Sequence, residues 1–359
     1  AYQVRVFRPE LQWPAYGATP GRTQVHPAID LRPPFRLVWS RGLGSLVEFP
    51  AVVWEGVAYV TTLEGWLYAL SMRDGAVLWK TRVGTRMASS PGLAPDRGEL
   101  AVVTMSPGDM KVVDMKTGKV RWRLPTGLAE PSPVVIDDVA YFAATSGLVY
   151  AVDLEKRRPR WTVDVGAKVT SSPAVVDGTV YVGDYDGDVH ALAAGTGKQV
   201  WEGSAGSRVY GTVAVSGGTV FAPSVFSGLS ALNRKTGELR WRIPTADYLY
   251  SSPAAYRGRV FFGDYTGRVS AADAATGRIL WTQSAGGSVS GAIQVVAGVV
   301  YAGSFAGRIT GWDWRTGAQV FRFGHGQYVP VSGNGGRLLL HGYSRVYAVE
   351  PKRARAGAR

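Results

Sequence analysis

Three carboxylates at alternate positions, in Asp184-Tyr185-Asp186-Gly187-Asp188, are the side chains of this sequence best spaced to gather around a hard cation. A calcium loop of that kind closes on a glutamate twelve positions from its start, and position 195 here is glycine. The same aspartates suit a tight turn, where a side-chain oxygen takes up backbone N–H groups a few residues on. Turn capping is therefore the expected role, and neither a metal nor a cofactor is expected. The histidines, His26, His190, His325 and His341, are scattered and form no His-Glu-x-x-His or other ligand spacing. His325, between Gly324 and Gly326, is the one expected to be able to face a central channel. No Gly-x-Ser-x-Gly elbow is present, and the chain has no cysteine, which removes thiolate nucleophiles, disulfides and thiolate metal sites together. No catalytic residue is assigned.

Binding chemistry is better supplied. Tyr185, Phe226, Tyr265, Phe305 and Tyr343 recur at one kind of turn, and Arg86, Lys168, Arg208, Tyr210, Tyr248, Tyr250 and Tyr328 fall in one kind of loop, where Glu48 and Glu130 are acidic exceptions. Tyrosine and arginine are enriched where proteins bind one another. The same rings could equally fill gaps between structural units.

What positions these groups is a repeat. Trp39, Trp79, Trp122, Trp161, Trp201, Trp241, Trp281 and Phe321 are spaced by 40, 43, 39, 40, 40, 40 and 40 residues. Residues 168–202 show the unit: four short runs rich in valine and tyrosine, separated by Asp177-Gly178, by residues 184–188 and by Gly195-Thr196-Gly197. Glycine and aspartate tolerate the positive φ of tight hairpin turns, so the unit reads as four antiparallel strands, and its recurrence marks a β-propeller. The third strand has eight copies, at residues 67–70, 111–114, 149–153, 189–193, 229–233, 269–273, 309–313 and 346–350. The last copy has no Trp strand after it, and the first Trp strand, residues 35–40, has no third strand before it. The two orphans complete one another. The expectation is an all-β, eight-bladed ring of four-stranded antiparallel blades, closed by the N-terminal strand pairing with the C-terminal blade.

In such a blade the first strand is innermost. First-to-second and third-to-fourth turns then share one face of the ring, and the variable second-to-third turns and blade-to-blade loops share the other. Binding is expected on the variable face, because rigid frames carry function on loops. Residues 1–34, with Trp13-Pro14-Ala15-Tyr16-Gly17 and several further prolines, read as an extended strap across one end of the ring, anchored by Trp13 and Tyr16. Residues 35–350 form the propeller, and residues 351–359 a basic, disordered tail that could associate with a membrane surface.

The 359 residues carry 40 basic and 27 acidic groups, a net charge of +13, which favours anionic partners, although no motif for sequence-specific nucleic acid accompanies it. No run approaches the roughly 20 apolar residues of a membrane helix. The start at Ala1 would follow from removal of a signal peptide, an anchor or a tag, and the lack of cysteine suits an exported chain. A monomer is expected.

The inner Ser-Ser-Pro at Ser89, Ser171 and Ser251, the Gly-Asp-Tyr-x-Gly turns at Gly183 and Gly263, and the following VYAL-D-x-x-TG-x-x-x-W pattern resemble the pyrroloquinoline-quinone-like propeller repeat over about nine-tenths of the chain. The resemblance implies eight blades in which each Trp stacks between blades over small residues such as Ala191 and Gly197. It also implies one of two functions. One branch of the family holds quinone-dependent dehydrogenases, with a disulfide of adjacent cysteines, a Ca²⁺ site and an aspartate base. The other holds scaffolds without cofactor, similar to the lipoprotein of outer-membrane β-barrel assembly and to kinase sensor propellers. With no cysteine and asparagine only at 233 and 334, the expectation is the second: an extracytoplasmic propeller binding a protein or an anionic envelope polymer. A quinone- or metal-dependent oxidoreductase is the alternative.

Overall fold

A computed structural model describes residues 8–352. Its regular structure is eight sheets and two single-turn 3₁₀ segments, Pro9–Leu11 and Pro95–Arg97, so no helix among the described residues could cross a membrane. Blade four is representative. Its strands Ala174–Val176, Thr179–Gly183, Asp188–Ala193 and Gln199–Ser204 are hydrogen-bonded in that order, each antiparallel to the next. Asp177 and Gly178, at φ +48° and +72°, make the two-residue hairpin between the first two. The inner three strands are largely buried, while the fourth alternates between exposed and covered residues.

The outer strand carries the device that fastens blade to blade. A bulge opposite Ala191 and Leu192 shifts the register of the fourth strand beside Trp201, and the same irregularity recurs in the other blades. Trp161 of blade three then lies against blade four, where its indole N–H donates to the carbonyl of Ala194 at 2.8 Å. A Cβ on Gly197 would stand 2.8 Å from that indole, so this turn must be glycine. Trp39, Trp201, Trp241 and Trp281 repeat both contacts, with carbonyls of Met72, Arg234, Ala274 and Trp314 and with Gly75, Gly237, Gly277 and Gly317. Blade three lacks the Thr-Gly turn, having Lys156-Arg157 there, and the buried Trp122 indole N–H facing it finds no partner among the described residues.

The ring closes as the orphan strands require. Phe35–Gly42 pairs antiparallel with Arg345–Pro351, placing Arg36 opposite Glu350 and Ser40 opposite Tyr347. Pairing runs past position 350, because Lys352 also donates its N–H to Pro34. The expected basic tail otherwise falls on residues 353–359, outside the described residues.

Around the axis the inner strands are tied by a belt of hydroxyls. The backbone N–H groups of Ser90, Ser132, Ser172 and Thr212 donate to the side-chain oxygens of Ser132, Ser172, Thr212 and Ser252 in the following blade, at 2.9 to 3.2 Å. This gives the recurring second serine a structural duty: it satisfies a buried donor that no ladder reaches. The belt stops at blade seven, which has Ala292 there, and His341 completes the seam between blades eight and one, its Nε2 accepting from Ala51 N–H at 3.1 Å.

The N-terminal segment enters the ring as well as crossing it. Trp13, fully buried, exchanges backbone hydrogen bonds with Val53. Carbonyls of Pro20, Gly21, Thr23 and Gln24 then accept N–H groups from Val175, Val215, Ala255 and Val295, the inner strands of blades four to seven. Val25–His26 adds a parallel fifth strand to blade seven. The guanidinium of Arg22, wholly buried, is spent on three carbonyls: Pro173 from Nε at 2.9 Å, Tyr16 from Nη1 at 2.5 Å and Ser132 from Nη2 at 2.7 Å. Desolvation lowers its pKa to about 9 against the weaker opposing effect of Tyr16.

Candidate binding face

At the variable end, opposite the hairpins that face the strap's carbonyls, two of the aromatic turns are held by an aspartate. Asp184 Oδ1 accepts from the N–H groups of Asp186, Gly187 and Asp188 at 2.9 to 3.0 Å, which fixes the turn carrying Tyr185. Its Oδ2 meets His190 Nε2 at 2.8 Å. Burial works against both charges, but their hydrogen bond and mutual attraction outweigh it: the Asp184 pKa is lowered and that of His190 raised. Asp264 holds the Tyr265 turn in the same way, through Thr266 and Arg268 N–H. Among the described residues no group of three or more acidic or histidine side chains could hold a metal ion.

The turns and loops of blades four to seven bring eight rings into one continuous arc. Tyr185 lies 6.5 Å from Tyr210, and Tyr210 5.2 Å from Tyr250. Tyr250 meets Tyr248 and Tyr265 at 5.6 and 5.5 Å, and Phe226 packs edge-on to Tyr248 at 5.4 Å. From Tyr265 the arc continues to Phe305 at 5.8 Å and on to Tyr328 at 5.4 Å. Edge-to-face geometry of this kind stabilises the rings in place beyond their burial. The arc nevertheless stays open to solvent: Phe226 is 65% exposed, Tyr248 41% and Phe305 39%. Lys168 Nζ and the Arg208 guanidinium both sit over the Tyr185 ring, at 4.8 and 4.7 Å, giving the arc a cationic end.

Not every residue of the sequence reading joins this arc. Arg86 belongs to the sector across the mouth, with Glu48 and Glu130. Burial raises the Glu48 pKa, Glu130 raises it further, and Arg86 partly offsets both. The two glutamates also help burial raise the pKa of Tyr210. Tyr343, 59% exposed, stands at the outer rim. His325 does not face the channel: its ring stacks on Tyr347 at 5.3 Å and lines a rim cleft with Tyr343, because the glycines beside it let the loop swing outward between blades seven and eight. Between arc and acidic sector the mouth narrows onto a floor of Tyr16, Ser172, Thr212 and Ser252, where the Tyr16 hydroxyl meets Ser252 Oγ at 2.9 Å. The floor was not legible in sequence, since nothing periodic marks Tyr16 as entering the channel.

Eight four-stranded blades, six outer-strand tryptophans seated on a glycine of the next, and a channel open at its variable end define a propeller of the pyrroloquinoline-quinone-like repeat class. The family described as outer membrane protein assembly factor BamB matches residues 35–156, 107–246, 185–322 and 227–353, which overlap around the whole ring, and the chain belongs to that family. The outer membrane protein assembly factor BamB of Yersinia pestis is 28% identical over 149 residues, 37% of this chain. The chain thus spans 37% of the length of that curated relative. Among solved structures, BamB from Moraxella catarrhalis superposes with a TM-score of 0.73 at 18% identity, covering 88% of this chain and 99% of that one. The quinohemoprotein alcohol dehydrogenase of Comamonas testosteroni does so with a TM-score of 0.80 at 15% identity, covering 97% and 82%. At such identities the likeness is one of fold.

Proposed function

We propose that this chain is an extracytoplasmic scaffold that takes hold of a protein partner through the aromatic arc of its variable face. The observation that carries the reading is the unbroken run of ring contacts from Tyr185 to Tyr328, held rigid from below and flanked by Lys168 and Arg208. A pre-organised aromatic surface loses little side-chain entropy on binding, and the cations at its end favour an approaching acidic partner. Membership of a family described as an outer-membrane assembly factor supports both a protein partner and an envelope location. The anionic polymer of the sequence reading is the weaker candidate, because Glu48 and Glu130 would repel it at the mouth.

The oxidoreductase reading, which the dehydrogenase likeness of fold keeps in view, requires a quinone bearing several carboxylates at the channel mouth. The residues present do not fit it. The mouth presents Glu48 and Glu130, with Arg86 beside Glu48, the buried Arg22 is consumed by three carbonyls, and the strap fills the channel beneath. No step through a quinone follows from these residues.

Photo-reactive side chains placed at positions 226, 248 and 305 test the proposal, against controls at 117 and 196 on the opposite face. Adducts with one protein from the first set, lost on Arg208→Glu, are expected. Equal labelling from both faces would overturn the assignment.

A further inference from the structure

The face opposite the arc is built from hairpins and Thr-Gly turns that repeat with little change, and at its corners charges of opposite sign meet. Asp177 of blade four, for example, pairs with Arg234 of blade five at 2.7 Å. At the corner between blades six and seven the pattern inverts. The turn position held by Glu55, Asp137 and Asp177 elsewhere is Arg257, in the same left-handed backbone at φ +48°. An arginine gains nothing from that conformation, which aspartate tolerates better. The position that faces it, held by Met72, Met115, Leu154, Ala194, Arg234 and Ala274 elsewhere, is Trp314.

These two exceptions, with the strap beside them, form a cleft of their own. The Trp314 ring has Arg259 5.1 Å and Arg315 4.8 Å from its centre, with Tyr256 edge-on at 5.2 Å and Arg257 in turn over Tyr256 at 5.4 Å. Arg259 is anchored by the carbonyls of Trp314 and Arg315, both at 2.8 Å. Arg32 of the strap reaches Asp313, beside the cleft, at 3.7 Å, and Asp30 is the acid that lines it. Among the described residues neither Arg257 nor Arg315 has an acidic partner.

We propose that this cleft is a binding site for a phosphate monoester group, borne by a soluble molecule or by a lipid headgroup. Arg32, Arg257 and Arg315 against Asp30 in the lining, with Arg259 and Asp313 beside it offsetting one another, leave a surplus of two positive charges, which matches the −1.5 to −2 of such a phosphate near neutral pH. Guanidinium forks held by ring stacking and by backbone carbonyls present N–H donors at low entropic cost, the arrangement that suits phosphate oxygens. The site stands on the opposite face from the aromatic arc and does not depend on the reading given to it.

The test uses the full chain and a variant, Arg257→Asp with Trp314→Ala, that installs residues found in sister blades, its folding checked by its thermal unfolding. Inorganic phosphate is titrated by calorimetry at about 0.15 M salt. In parallel, flotation is measured with phosphatidylcholine vesicles with and without phosphatidic acid. Binding in either arm, reduced at least about tenfold in the variant and unaltered by Lys168→Ala with Arg208→Ala on the other face, is expected. Response to phosphate alone identifies a soluble ligand, and response to vesicles alone a headgroup. Equal binding by wild type and variant, equal loss in the opposite-face control, or no binding in either arm would overturn the site.

Discussion

The two ends of the channel solve opposite problems. At the strap end the backbone and the one buried guanidinium among the described residues are spent: carbonyls of Pro20, Gly21, Thr23 and Gln24 take up donors from four blades, and Arg22 gives its N–H groups to three carbonyls. At the variable end the rings are braced against one another while their outer surfaces stay wet. One end is finished by its own chain and the other is left with capacity. A propeller can therefore hold a rigid surface in readiness because its stability is secured elsewhere.

If that division is right, substitutions at the two ends should separate cleanly. The largest effect on stability should come from Arg22→Ala, which strands three buried carbonyls and empties the space of the guanidinium. A loss of about 3–5 kcal/mol in chemical denaturation is expected. His341, buried in the closing seam, is next. Burial lowers its pKa to about 4, against the small opposing effect of the Pro330 carbonyl. The unfolded chain takes up this proton near the ordinary value of 6.5 while the folded chain resists it. Stability from this group is thus complete above pH 6.5 and falls by about 3 kcal/mol as the pH drops towards 4. The difference in acid denaturation between wild type and His341→Gln measures it. His190 runs the other way, since its raised pKa contributes stability at low pH that is lost as pH rises through its folded value, and it is common to both proteins in the comparison.

At the open end Phe226→Ala with Tyr248→Ala should weaken the partner by about 2 kcal/mol or more while moving the unfolding midpoint little. A comparable loss of stability would mean that the arc is core, and the contrast between the ends would fail. The finest contrast lies within one Ser-Ser-Pro. Ser172→Ala leaves the buried Ser132 N–H without its acceptor and should cost about 1–3 kcal/mol, whereas Ser171→Ala removes a buried hydroxyl that has no partner among the described residues and should cost almost nothing.

The ring was legible because its cause is periodic. Trp39 through Phe321 mark the outer strands, Asp177-Gly178 and its counterparts mark the hairpins, and the unpaired first and last strands dictate closure. The loops could be assigned to faces by counting strands. What counting could not supply was direction. Arg86 and Arg208 occupy equivalent loops, yet one lies with Glu48 across the mouth and the other over Tyr185. His325 turns outward because its neighbours are glycines, and Tyr16 and Arg22 enter the axis from a segment outside the repeat. Residues that deviate from the period, Trp314 and Arg257 among them, carry no signal until the sister blades are laid beside them.

The pairing of Phe35–Gly42 with Arg345–Pro351 also sets the order in which this molecule comes into being. A ribosome delivers the first of these segments some three hundred residues before the second, so the outermost ribbon of the final wedge must wait, unzipped, until Arg345–Pro351 has been made. A chain cut short anywhere upstream of Arg345 keeps two bare flanks that no other part of it can cover. Arrival of that last strand is in this way built into the fold as a condition for becoming a closed object.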